Sequence, residues 1–142
     1  MAGRKKTRIS PELQWITLGG LVILIFGWWV WASQFGSPDH VVSVTMPVLS
    51  DQARQGREVF ESNCAQCHGP EAGGTPQGPP LIHKIYEPNH HADAAFLLAV
   101  QRGVRQHHWS FGNMPPQPQV GRAGATAIIS YIREVQRANG VY

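Results

Sequence analysis

The sequence predicts an all-α fold, with about three main helices in a small domain behind a single N-terminal transmembrane helix. Three observations predict it. Residues 13–32 form an uncharged, mostly apolar run. Three later segments, 51–62, 92–103 and 122–139, carry apolar residues at helical spacing. The stretches between them are rich in Gly and Pro and show no strand–helix–strand alternation.

The chain opens on a basic tip, residues 1–12. Arg4, Lys5, Lys6 and Arg8 against Glu12 give it +3, which is the whole net charge of the protein. From residue 13 onward eight Lys/Arg balance eight Asp/Glu. The pI of 9.2 therefore describes the tip. No basic patch of the kind that binds nucleic acid remains in the folded part.

Residues 13–32 span about 30 Å at helical rise, the thickness of a bilayer core. Ten of them are Leu, Ile, Val or Phe, which favours insertion by roughly 3–6 kcal/mol. Trp15 near one end and Trp28, Trp29 and Trp31 near the other suit two interfacial belts. The expectation is an uncleaved signal-anchor with its N-terminus in the cytoplasm. Its rival is a removable secretory signal cut near Val30-Trp31-Ala32. Either one exports the rest of the chain. Residues 33–50 read as a short linker, opened by Ser33, Gly36, Ser37 and Pro38. Within it Val41-Val42-Ser43-Val44 has strand propensity and suits lying against the domain.

The domain is expected over 51–142. Asp51 favours the start of the first helix, and Gly56, Val59 and Phe60 share one face. A loop is expected at Asn63–His68, and irregular loop over 69–91. Phe96, Leu97 and Val100 mark the second helix, which Gly103 can end. Loop returns over 104–121. Ile128, Tyr131, Ile132 and Val135 stripe the last helix, and Gly140 stops it.

The chemistry centres on Cys64-Ala65-Gln66-Cys67-His68. Two cysteines one helical turn apart suit thioether bonds to the two vinyl groups of a haem, and the following histidine then sits under the iron. The rivals are weaker. A structural zinc site needs four ligands, and the chain has no further cysteine. A thioredoxin-like pair needs a βαβ setting. A disulfide between such close cysteines is strained and leaves His68 without a role.

Taken together, residues 51–142 resemble the class I c-type cytochromes, small single-haem electron carriers. Gly56 and Phe60 precede the haem string as in that family. Gly78-Pro79-Pro80-Leu81 matches its Gly-Pro-x-Leu segment, Met114-Pro115 its methionine loop, and Tyr131 the aromatic residue of its closing helix. The resemblance implies one covalent haem c, with His68 and Met114 as axial iron ligands. Met114 is the one methionine of the domain after the haem string. The resemblance also implies that the Pro79 carbonyl orients His68; the alternative is that Pro79 and Pro80 only stiffen a loop. It further implies a membrane-anchored bacterial form, held at the inner membrane with its haem domain in the periplasm. Its role there would be one-electron transfer, without enzymatic activity. The implied partners are a quinol–cytochrome c oxidoreductase or a periplasmic dehydrogenase as donor and a terminal oxidase as acceptor.

Two other functions stay open at this stage. One is an integral haem subunit of an oxidase or dehydrogenase complex. The other is a haem peroxidase or gas sensor, which requires that Met114 not ligate iron. Either His107 or His108 could replace Met114. His83, His90 and His91 could join them on a copper or zinc site, although solvent-facing loop histidines are the expectation. Trp109 and Phe111 are expected to pack on the haem. Arg102 and Arg105 suit a haem propionate or a docking face equally.

Overall fold

The structure, a computed structural model, describes residues 11–35 and 41–142. Residues 1–10 of the expected tip and 36–40 of the expected linker lie outside the described residues. The chain divides into two units, Met1–Ser37 and Pro38–Tyr142.

Among its described residues the first unit holds one helix, α1 (Pro11–Phe35). Its position matches the run expected to cross a membrane. Among the described residues, however, no helix is long and apolar enough to do so. Gly19, Gly20 and Gly27 add no apolar side chain to α1, and Trp28, Trp29 and Trp31 favour an interface over the hydrocarbon centre. This corrects the expected single-pass inner-membrane anchor and the localisation built on it.

The second unit is helical. It contains α2 (Asp51–Asn63), the one-turn α3 (Ala65–His68), α4 (Asp93–Arg102) and α5 (Gly121–Ala138). Among the described residues, two 3₁₀ turns, Lys84–Tyr86 and Pro118–Val120, punctuate the loops. Among the described residues there is no strand, only the isolated bridges Thr75–Gly78 and Val104–Met114. The all-α class follows from the apolar stripes: Ile128, Tyr131, Ile132 and Val135 are all buried on α5.

The core forms where α2 crosses α5. Gly56 makes the approach possible, because an added Cβ would overlap the Ala127 carbonyl and lie 2.9 Å from the Ile128 nitrogen. One turn on, Phe60 and Tyr131 meet with ring centroids 5.5 Å apart. Leu49, Ala53, Ala72 and Ile82 close the cluster. Ser50 caps α2, its Oγ accepting from the Ala53 N–H at 3.2 Å. Its N–H and hydroxyl donate to the Glu134 carboxylate of α5 at 3.0 and 2.6 Å.

Residues 41–50 carry no regular secondary structure and pack on the rest of this unit. The Val42 N–H donates to Gly73 O at 2.8 Å. The Asn139 side chain bonds both the N–H and the carbonyl of Thr45, each at 2.8 Å. Val42, Val44 and Met46 pack on the core.

The segment Asn63–His68, expected as loop, is wound into helix. The His68 and Cys67 N–H groups donate to the Cys64 carbonyl at 2.9 and 3.1 Å. The turn prolongs α2 past its end and sets the two cysteines on successive levels.

Candidate haem site

A cavity of about 440 Å³ opens beside the α2–α5 crossing. That is within the range of small-molecule and cofactor sites. Its wall includes Phe60, Cys64, His68, Pro79, Leu81 and Ile128, together with Phe96, Val100, Trp109, Phe111 and Met114. Residues from distant parts of the sequence thus share one space: Cys64 and His68 from α3 and its cap, Pro79 from the first long loop, Met114 from the second. Cys67, one level on, is exposed and not part of the wall.

His68 Nδ1 is 2.8 Å from Pro79 O. A carbonyl only accepts, so Nδ1 carries the proton and Nε2 keeps its lone pair. Burial pushes the His68 pKa down, and the Pro79 carbonyl offsets part of that. The ring is therefore neutral at pH 7, the state that binds a metal. Burial, with the neighbouring Cys67, pushes the Cys64 thiol up to about 11, as befits an apolar wall.

Met114 is fixed through its backbone. It exchanges two hydrogen bonds with Val104, each 3.0 Å. Gly103 permits this closure. Its φ is +72°, and an added Cβ would overlap the Met114 carbonyl and lie 3.0 Å from the Pro116 nitrogen. The glycine that ends α4 thus also seats the methionine loop.

The neutral imidazole, the cysteine pair and the apolar lining fit a covalently held haem. The comparison with known families agrees: a family model for cytochrome c matches residues 53–136. The chain belongs to the cytochrome c family. Comparison with curated proteins and with solved structures found no match. A cytochrome c domain carries covalent haem c, and Cys64 and Cys67 stand at the spacing of the attachment motif.

The remaining residues singled out in the sequence of this cytochrome c divide clearly. Arg102 lines the cavity and Arg105 does not. His83 caps a 3₁₀ turn, accepting from the Ile85 N–H at 3.2 Å, and meets Trp109 edge-on at 5.1 Å. His90, His91, His107 and His108, expected as solvent-facing loop side chains with a shared metal site as the alternative, gather into one cluster. His107 and His108 rings are 4.3 Å apart, and His91 and His108 rings 5.3 Å. Burial lowers the His91 pKa; the Ile85 carbonyl opposes this, and His90, His107 and Arg133 lower it further.

Sequence reasoning missed the pair that holds the 81–91 loop. Gln136 is fully buried on α5 and donates to Leu81 O at 2.9 Å and Tyr86 O at 3.0 Å. Arg133, 8% exposed, donates to Tyr86 O at 2.8 Å, to Asp93 Oδ1 at 2.8 Å and to His91 O. The signal was present: Gln136 stands four residues after Ile132, on the buried stripe itself.

Proposed function

We propose that this cytochrome c is a one-electron carrier with His68 and Met114 as the axial ligands of its haem. Bound haem c supplies a reversible one-electron iron couple. Cys64 and Cys67 hold it through thioethers. The Pro79 carbonyl fixes the His68 tautomer and orientation, as the outer partner of a ligating imidazole does. Met114 offers a thioether, which favours ferrous over ferric iron and raises the potential. With His68 and Met114 both bound to the iron, no open site would remain for peroxide or gas. The donor we propose is a quinol–cytochrome c oxidoreductase or a dehydrogenase, and the acceptor a terminal oxidase. Those partners rest on family resemblance.

The observation that carries this reading is the shared cavity. It places His68, its Nε2 free, and Met114 on the wall of one apolar space. The test is ferric and ferrous spectroscopy of the wild type and Met114→Ala. Wild type should show the weak far-red sulfur-to-iron charge-transfer band and resist carbon monoxide. Met114→Ala should lose the band, lower the potential and admit carbon monoxide. A wild type that lacks the band at neutral pH and binds carbon monoxide readily refutes the carrier reading and moves a peroxidase or sensor ahead.

A further inference from the structure

Two irregular loops bring three imidazoles to one point at the margin of the haem cavity, whose wall includes His91 and His108. His90 and His91 follow the 3₁₀ turn at Lys84–Tyr86, and His108 comes from the loop before Met114. One ring nitrogen from each lies within 4.8 Å of the others. His90 Nε2 and His108 Nε2 are already 3.2 Å apart. Two nitrogens bound to one tetrahedral zinc at about 2.0–2.1 Å stand about 3.3 Å apart. Two neutral imidazole lone pairs facing each other at this distance repel. A proton on one nitrogen, or a cation between them, removes the repulsion.

The third ring is oriented in advance. His91 Nδ1 lies 2.6 Å from the Ile85 carbonyl, so it carries the proton and Nε2 is the free donor atom. A backbone carbonyl behind a ligating histidine is the usual outer partner of such a site. The supporting backbone is held as well. The His91 carbonyl accepts from the buried Arg133 guanidinium. The His108 loop is closed by the Val104–Met114 bridge and by Gln106 N–H on Asn113 Oδ1 at 2.9 Å. Gly112 N–H on Gln106 Oε1 at 2.7 Å completes it.

We infer that His90, His91 and His108 form a binding site for a divalent transition-metal ion of the zinc class. Three imidazoles without a carboxylate suit that class and not calcium or magnesium, which take oxygen ligands. Three protein nitrogens leave a fourth position for water or another small ligand. The site is separate from the iron ligands proposed above, and it stands whether or not Met114 binds iron.

The test uses the untagged, haem-loaded full chain and zinc ion alone, by calorimetric titration. Wild type should take up one zinc per chain at micromolar concentration, with millimolar magnesium unable to compete. His90→Gln and His108→Gln, both at exposed positions, should each weaken binding at least about tenfold. His83→Gln, outside the cluster, should bind as wild type does. Histidine-directed acylation of the wild type, read by mass spectrometry, needs no variant. Zinc should protect His90, His91 and His108 and leave His83 reactive. No stoichiometric binding by wild type, unchanged binding by both cluster variants, or equal protection of His83 overturns the inference.

Discussion

Arg133→Met asks how much one buried guanidinium contributes to the loop wall of the haem cavity. Met nearly fills the volume of the replaced stem, so the cavity penalty is small. The lost contacts can be counted. Asp93 is 67% exposed and rehydrates, so that ion pair is worth about 0–1 kcal/mol. Tyr86 O keeps its hydrogen bond from Gln136 Nε2 at 3.0 Å. The His91 carbonyl and Gln136 Oε1 lose the donor the structure gives them. Each such loss costs about 1–3 kcal/mol. The guanidinium also lies 4.8 Å above the Phe96 ring, a contact worth about 0.5–2 kcal/mol. Relief of the buried charge offsets part of the sum. The expected net loss is about 3–4 kcal/mol. Urea unfolding of the haem-loaded protein, followed by circular dichroism, measures it from the midpoint and slope. Asp93→Asn should lose less than about 1 kcal/mol. A loss below about 1 kcal/mol for Arg133→Met would falsify the argument, because desolvation of the arginine would then equal all its hydrogen bonds.

Gly56→Ala should destabilise by at least about 2 kcal/mol, although alanine is the better helix former by about 1 kcal/mol. The new methyl meets α5 backbone, which cannot rotate aside; thermal unfolding reads the change, and an unaltered or raised Tm refutes the close crossing. Glu134→Gln should show a pH-dependent cost. Burial pushes the Glu134 pKa up, but the Ser50 hydroxyl and N–H and the Arg137 charge outweigh it and hold the carboxyl below its ordinary value. A depressed folded pKa makes the stabilisation complete above about pH 5 and removes it as pH falls through the folded value. Denaturation of both proteins across that range should show the wild-type advantage vanish in acid; an advantage that persists unchanged there sinks the linkage.

The parts of this molecule that were legible in its sequence are those set by local spacing. The cysteine pair and His68 lie within five residues, and the stripe from Ile128 to Val135 repeats at helical period. Gly56 and Phe60 were legible for the same reason. Asp51 was read as favouring the helix dipole and does stand in the first turn, but the cap itself, Ser50, was not read. The histidine cluster was legible only as an alternative to solvent-facing loop histidines, and with His83 included. His90 and His108 are separated by a helix and two irregular loops, and no periodicity says that those loops close on each other. Arg133 escaped because a charged residue beside an apolar stripe ordinarily points to solvent. Here the Leu81, Tyr86 and His91 carbonyls of the 81–91 loop accept from α5 side chains. The apolar run at 13–32 shows the opposite failure: composition alone suggested a membrane span, which the described helix does not sustain.

Two parts of the lining of the haem cavity are held by different physics. Phe60 and Ile128 belong to two helices in backbone contact at Gly56, with Phe60, Tyr131 and Ile132 fully buried, and Cys64 and His68 follow on the turn that ends the first of them. Moving this part requires opening the main core. The part bearing Met114, His91 and His108 is loop, fixed by backbone bridges at Val104 and by hydrogen bonds from Arg133 and Gln136. Such loops open locally at lower free energy than packed helices do. The His68 part is therefore the rigid reference of the site, and the methionine part is the adjustable one. A change of axial ligand, or a metal ion drawn into the histidine cluster, would act on the part that can respond without disturbing the one that carries the attachment cysteines.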